Sequence, residues 1–165
     1  MTDLISLDGK NIIVTGASGG LGRAMTEALV AAGAHVVAVD VSQEALQTMA
    51  DEIAPHGNEG GGNAGRVLPM AANLQDPIQC EKIVKRAHQA YGALHGLVNN
   101  AGIGLSSIRE DYYARNIKFW EVPDERWQTI FEVNARAAFL LSKAAVPYFL
   151  EQDWGRIVNI TTSMD

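Results

Sequence analysis

The chain has 165 residues, of which 47% are hydrophobic and 19% are charged, and its formal net charge is −6. This is the composition of a globular chain of about one domain, and it excludes a disordered protein. The acidic balance argues against nucleic acids and anionic membranes as partners, because both are bound by clustered Lys and Arg.

Cysteine content and hydropathy limit the cellular setting. The chain has one cysteine, Cys80, so no disulfide framework can form within it, and we assign Cys80 a packing role. No apolar run approaches the ~18 residues of a membrane-spanning helix, and residues 1–10 do not resemble a signal peptide. We therefore expect a soluble, unprocessed, cytoplasmic protein. Its expected partners are small molecules or copies of itself, and we predict no metal site.

Short runs rich in Val, Ile and Leu alternate along the chain with amphipathic segments of helical period. This alternation predicts an α/β fold, a doubly wound parallel sheet with helices on both faces. The predicted strands are 11–15, 35–39, 66–70, 94–99 and 156–160, and the predicted helices are 20–32, 43–53, 77–91 and 124–152. Gly33 predicts the end of the first helix, and the Asp76-Pro77 pair predicts the beginning of the third. The glycine-rich segment 55–65 predicts a mobile surface loop within a single domain, 1–165.

A glycine-rich turn, Thr15-Gly16-Ala17-Ser18-Gly19-Gly20-Leu21-Gly22, links the first strand to the first helix. Such a turn lets backbone N–H groups approach a pyrophosphate at a helix N-terminus, although glycines alone also fit an ordinary turn without a ligand. The second strand ends at Asp40, where a carboxylate is expected to accept bonds from ribose hydroxyls. Together, the turn and Asp40 predict a dinucleotide site.

Two motifs together resemble the short-chain dehydrogenase/reductase family, which has a Rossmann fold. Thr15 precedes glycines at the spacing GxxxGxG, and the fourth strand ends in Asn99-Asn100-Ala101-Gly102, the NNAG motif of that family. NNAG alone fits a simple turn, but the two motifs at the right distance favour a cofactor site. Methyltransferases share a glycine-rich turn followed by an acid, but NNAG and the threonine-serine end of the last strand argue against them. The resemblance implies contacts to NAD from Gly16, Ser18, Gly20, Leu21, Gly22, Asp40, Val41, Asn73, Leu74, Asn100, Ala101 and Gly102.

The resemblance further implies an oxidoreductase that interconverts a small-molecule alcohol and a carbonyl by hydride transfer. NAD is predicted over NADP because Asp40 would repel a 2′-phosphate. Val41 and Ser42 follow this acid, and Gly19 stands where NADP-preferring relatives often carry Arg or Lys. Arg23 is the nearest basic residue in the sequence.

Asn73 departs from the family pattern, which usually has an aspartate contacting the adenine. An amide has a donor and an acceptor, so Asn73 can still bond the adenine amino group. An Asn that begins a local turn is an equally good interpretation.

The segment 103–123 lacks periodicity and carries Tyr112, Tyr113, Phe119 and Trp120. Connections this long in compact domains are usually functional or disordered. Because the segment follows the NNAG strand, we expect it to overhang the reactive end of the cofactor as a pocket wall or lid. The alternative is that its aromatics pack the loop onto the body of the protein.

The predicted helix 124–152 has an apolar surface wider than one stripe, which favours a homodimer or homotetramer formed through it. The resemblance makes Asn134 a catalytic residue that holds a water in the proton relay. The alternative is a structural Asn bonded to the backbone of a neighbouring strand, and the two roles are compatible in one residue.

The last strand resembles the family strand that ends NxSS, whose second serine binds the substrate carbonyl. Aligned without a gap, that serine falls on Thr162, and Ser163 is the alternative. The family's YxxxK motif is not found, because His95, Asn116, Ile117 and Gln152 stand four residues after the four tyrosines. The resemblance therefore implies a chain truncated on its C-terminal side, with five of seven strands and no activity alone. The alternative is a dinucleotide-binding module or structural subunit without catalysis.

Overall fold

The computed structural model describes residues 6–53 and 65–161, and its sheet is parallel throughout. The strands are β1 Asn11–Thr15, β2 His35–Asp40, β3 Val67–Ala71, β4 Gly96–Asn99 and β5 Arg156–Asn159. Their spatial order is β3-β2-β1-β4-β5, so the chain winds outward from β1 in one direction and then returns to wind in the other. This confirms the predicted doubly wound Rossmann fold and places a topological switch point between β1 and β4.

Five α-helices lie within the described ranges and connect the strands. They are α1 Gly20–Ala31, α2 Gln43–Ile53, α3 Pro77–Tyr91, α4 Asp124–Phe131 and α5 Ala137–Glu151. The predicted helix ends are confirmed in detail: Gly33 has φ +95°, and Asp76 accepts a hydrogen bond from the Ile78 N–H at 2.9 Å. Except for Gly65, the predicted loop 55–65 lies outside the described residues.

The chain is helical from Asp124 to Glu151, close to the predicted helix 124–152, but the sequence does not reveal a change of helix type within it. A π-helical turn, Glu132–Arg136, separates α4 from α5. The apolar residues of this stretch cover more than one stripe, so the shift of the pattern that one extra residue causes at the π turn is not visible in the periodicity. The fourth strand also begins later than predicted, at Gly96, and the Leu94 carbonyl before it accepts a hydrogen bond from the Gln152 side chain.

The core lies on both faces of the central strands. Every residue of β1 is buried, as are four of the six residues of β2, which explains their continuous apolar sequences. Leu46 and Met49 of α2 contribute to the cluster on one face, and Ile83 of α3 and Leu141 of α5 contribute to the cluster on the other. All four residues of β5 are exposed at the sheet edge.

Within the described ranges, no helix is both long and apolar enough to cross a membrane.

Candidate functional site

A cavity of about 490 Å³ opens at the carboxyl ends of the strands, beside the switch point. Its volume is within the range of small-molecule sites. It is lined by Gly16, Gly19, Gly20, Leu21, Gly22, Asp40, Val41, Ala72, Asn73, Leu74, Gln75, Asn100, Ala101, Gly102, Ile103, Thr129 and Val133. The structure therefore brings together all the residues predicted to contact the cofactor except Ser18.

The glycines of the turn fall into two pairs with different surroundings. A Cβ on Gly16, whose φ is +63°, would lie 2.9 Å from Ala101 Cα, and a Cβ on Gly22 would overlap the Gly16 carbonyl oxygen. By contrast, a Cβ on Gly19 or Gly20 would meet no protein atom within 4 Å. Gly16 and Gly22 thus allow close backbone packing, whereas Gly19 and Gly20 leave open space at the N-terminus of α1.

Thr15 joins the glycine turn to the NNAG segment. Its buried Oγ1 accepts hydrogen bonds from the Asn100 and Ala101 N–H groups, each at 3.0 Å, and donates to the Val98 carbonyl at 3.3 Å. In return, Asn100 Nδ2 donates to the Thr15 carbonyl at 2.9 Å. These bonds hold the two loops side by side under the cavity.

Asp40 places a carboxylate on the cavity wall. Its Oδ2 accepts from the Ser18 N–H at 3.1 Å and the Ser18 hydroxyl at 2.7 Å, and its Oδ1 accepts from the Val41 N–H at 2.7 Å. Ser18 thus contacts Asp40 rather than lining the cavity.

None of the residues that line the cavity has a cationic side chain that could pair with Asp40. Arg23, the nearest basic residue in the sequence, pairs instead with Glu27 at 2.8 Å and with Glu52 on α2. The hydrogen bond that Arg23 donates to Glu52, followed by the one it donates to Glu27, raises the pKa of Arg23. The lining described above contains no Lys or Arg.

Asn73 lines the cavity and also closes a local turn. Its Oδ1 accepts from the Gln75 N–H at 3.0 Å, and its own N–H donates to Gln79 Oε1 at 2.8 Å. The turn interpretation of Asn73 is therefore realised, and its exposed side chain stays on the rim of the cavity.

Asn134 lies in the π turn and exchanges two hydrogen bonds with Ile103, just after the NNAG segment. Its Oδ1 accepts from the Ile103 N–H at 2.9 Å, and its Nδ2 donates to the Ile103 carbonyl at 2.9 Å. Asn134 thus bonds backbone, as in the structural alternative, although in the loop after β4 and not in a strand. These bonds hold the π turn against the β4 end of the cavity.

A second cavity of about 410 Å³ adjoins the first and shares Leu74, Ala101 and Val133 with it. It lies between β4, β5 and α5, and its polar lining includes Asn99, Asn134, Ser142, Asn159 and Thr161. Within it, Asn99 Nδ2 donates to Asn159 Oδ1 at 2.8 Å and to Ser142 Oγ at 3.2 Å.

The predicted substrate-binding residues, Thr162 and Ser163, directly follow Thr161 and lie outside the described residues.

The aromatic segment 103–123 meets the first cavity only through Ile103. Tyr113 is 88% exposed, Phe119 83% and Trp120 68%, and none of them lines either cavity described above. The structure therefore places these aromatics neither over the cavity nor in the core.

Sequence reasoning missed several lining residues. These are Gly19, Ala72, Gln75, Ile103, Thr129 and Val133. Thr129 and Val133 stand four apart, as expected for one helix face, but their spacing does not reveal which face meets the cavity. Gln75 follows Asn73 closely enough for proximity alone to have suggested it.

The comparisons with known proteins agree with this geometry. The profile of the family described as short chain dehydrogenase matches residues 10–164. The 3-oxoacyl-(acyl-carrier-protein) reductase FabG of Thermotoga maritima is 33% identical over 156 residues, covering 94% of this chain and 56% of the relative. A short-chain type dehydrogenase/reductase of Picea abies is 34% identical over 161 residues, covering 96% of this chain and 55% of the relative.

A similar solved structure is a metagenomic short-chain oxidoreductase in complex with NADP, with a TM-score of 0.82 at 28% identity. The match covers 95% of this chain and 64% of that one. The chain thus spans little more than half the length of the curated relatives described above. It belongs to the short-chain dehydrogenase family, oxidoreductases whose Rossmann fold binds a nicotinamide dinucleotide.

Proposed function

We propose that this chain binds NAD(H) in the first cavity, beside the switch point. We further propose that the complete protein interconverts an alcohol and a carbonyl by hydride transfer. The observation that carries the choice of cofactor is the Asp40 carboxylate, anchored by three hydrogen bonds in a cavity wall without Lys or Arg. NAD, when bound, supplies the hydride acceptor.

The lining fits a dinucleotide at its phosphate end. The open space beside Gly19 and Gly20 lies at the N-terminus of α1, where backbone N–H groups and the helix dipole attract a pyrophosphate. Leu21 and Gly22 continue this wall into the helix.

The other lining residues divide between the two ends of the cofactor. Asp40 would accept from the adenosine ribose hydroxyls, and Val41, Asn73 and Leu74 would border the adenine. The stretch Asn100-Ala101-Gly102, together with Ile103, would face the nicotinamide end, next to the second cavity.

Charge supports NAD over NADP. A 2′-phosphate beside Asp40 would bring two anions together within a few ångströms, a repulsion of several kcal/mol in a partly desolvated site. Arg23 offers no compensation, because its guanidinium is engaged by Glu27 and Glu52. NADP is the cofactor in the complex of the metagenomic relative, whereas the proposal for this chain rests on its own Asp40.

For the substrate, we propose a small-molecule alcohol or carbonyl bound on the side of the second cavity. Thr162, or Ser163 if the register shifts by one, would donate to the carbonyl oxygen. Asn134 would hold a water of the proton relay, while the two hydrogen bonds of its side-chain amide to Ile103 keep the π turn in place.

We also propose a homodimer or homotetramer through the α4 and α5 region. Large apolar side chains on these helices are exposed, with Trp127 at 67%, Phe131 at 58%, Phe139 at 64% and Leu150 at 70%. Such a surface is typical of protein contacts.

Calorimetric titration of the chain with NADH tests the proposal. Gly20 and Gly9 are a matched pair, because each has a positive φ and a Cβ on either would meet no protein atom within 4 Å. Gly20→Ala should weaken NADH binding about tenfold, since its methyl group would occupy space needed by the pyrophosphate at the N-terminus of α1, while Gly9→Ala should not. A wild-type chain that does not bind NADH, or equal affinity in folded Gly20→Ala, would contradict the proposal.

A further inference from the structure

The π turn carries two side chains that reach to different sides of the dinucleotide cavity. Asn134 bonds the backbone of Ile103 on the β4 side, and Glu132 Oε2 accepts from Gln75 Nε2 at 3.2 Å on the β3 side. Ile103 and Gln75 both line the cavity. One helical turn is therefore bonded to both of the loops that form its walls.

The α4 helix depends on such polar contacts for its position. None of its residues is buried, yet Thr129 from this helix and Val133 from the π turn line the cavity. Without a buried apolar face, a helix gains little packing energy that would fix its place.

Glu132 is well suited to hold the β3 loop. Its side chain is only 16% exposed, and its Oε1 accepts from Gln128 at 3.0 Å and Arg136 at 3.2 Å within the same helical stretch. This leaves Oε2 for Gln75. Hydrogen bonds from Gln128 and Gln75 lower the pKa of Glu132, so the carboxylate is ionised at neutral pH and is a strong acceptor.

We propose that Glu132 is a positioning residue of the dinucleotide site, acting through Gln75 to hold the β3 loop at the adenine end. Gln75 transmits this restraint because its N–H also bonds Asn73 Oδ1. Glu132 itself does not line the cavity, so its effect on the ligand is indirect. The inference rests on the proposed NAD(H) site.

A double-mutant cycle on NADH affinity isolates this link. Glu132→Ala should weaken NADH binding about tenfold, the scale of one lost charge-assisted hydrogen bond. In the Gln75→Ala background the same substitution should have no further effect, because the partner is already gone. Additive losses would show that Glu132 does not act through Gln75 and would overturn the proposal.

Two controls separate positioning from helix stability. Gln128→Ala and Arg136→Ala each remove a partner of the other Glu132 oxygen, and each should leave NADH affinity within about twofold. If either weakens NADH binding as much as Glu132→Ala, Glu132 only stabilises its helix and the proposal is wrong.

Glu132→Gln is a second, more conservative variant that tests the proposal even if Glu132→Ala does not fold. It retains an acceptor oxygen, so it should weaken NADH binding less than Glu132→Ala, and this loss should also vanish in the Gln75→Ala background. If the wild-type chain fails to bind NADH, the proposed function fails. If wild type binds NADH and both Glu132 variants bind it with wild-type affinity, while circular dichroism shows them folded, only this inference fails.

Discussion

Ser18 donates two hydrogen bonds to a single oxygen of Asp40, one from its backbone N–H at 3.1 Å and one from its hydroxyl at 2.7 Å. The glycine-rich turn and the end of β2 are thereby joined at the place where the ribose is proposed to bind. The residue that the family resemblance assigned to cofactor contact has its two donors directed at Asp40. We therefore expect Ser18 to act on the cofactor by orienting this carboxylate.

Ser18→Ala removes the hydroxyl bond and keeps the N–H bond. A less firmly oriented carboxylate should lower NADH affinity by about tenfold, the lower end of what one hydrogen bond to a charged group contributes. Side-by-side titrations of Ser18→Ala and Asp40→Ala with NADH measure this. A Ser18→Ala chain with wild-type affinity would show that Asp40 needs no such support.

Thr15→Val should destabilise the fold, because it leaves the part-buried N–H groups of Asn100 and Ala101 without their acceptor. Thr15 is 1% exposed, and unsatisfied buried donors destabilise by about 1–3 kcal/mol each. Thr15→Ser retains the hydroxyl and should lose less. Denaturant unfolding of the three chains provides the free energies, and Thr15→Val as stable as Thr15→Ser would be inconsistent with this role.

His95 should make stability depend on pH. Its Nδ1 accepts from the Asn11 N–H at 3.0 Å, and burial, with a smaller contribution from Lys10, lowers its pKa. Because the folded pKa lies below the unfolded value of about 6.5, the unfolded chain binds more protons in that interval. Stability is therefore full above about pH 6.5 and declines as the pH falls towards the folded pKa.

The measurement is the free energy of unfolding of wild type and His95→Gln at neutral and mildly acidic pH. Wild type should lose more stability on acidification than the variant, which has no imidazole to protonate. An equal loss in both chains would assign the acid sensitivity to other groups.

In the complete protein, Thr162→Ala should lower turnover by about 10²–10³-fold, as when a donor to a developing oxyanion is removed. NADH affinity should change little, because the loss falls on the substrate side. Steady-state kinetics of Thr162→Ala and Ser163→Ala compare the two alignments. A large loss in Ser163→Ala alone would mean that the gap-free alignment is wrong by one residue.

The sequence predicts those parts of the fold that local physics decides. Runs such as Ile12-Ile13-Val14 and Val36-Val37-Ala38-Val39 are apolar throughout because both faces of β1 and β2 are covered. The Gly33 helix end and the Asp76 cap follow from backbone chemistry at single residues.

The sequence does not predict which side chains far apart in the chain form hydrogen bonds with each other. Gln75 meets Glu132 across 57 positions, and Ser18 meets Asp40 across 22, so neither bond has a local signature. The π turn is hidden for a related reason, since the bonds between Asn134 and Ile103 span 31 positions.

Titration of the chain with NADH and NADPH at one ionic strength measures whether Asp40 governs the choice of cofactor. NADH should bind at least about tenfold more tightly, because the 2′-phosphate of NADPH meets the Asp40 carboxylate. Asp40→Ala should narrow this difference in affinity. Comparable dissociation constants, or tighter binding of NADPH by the wild-type chain, would contradict this role of Asp40.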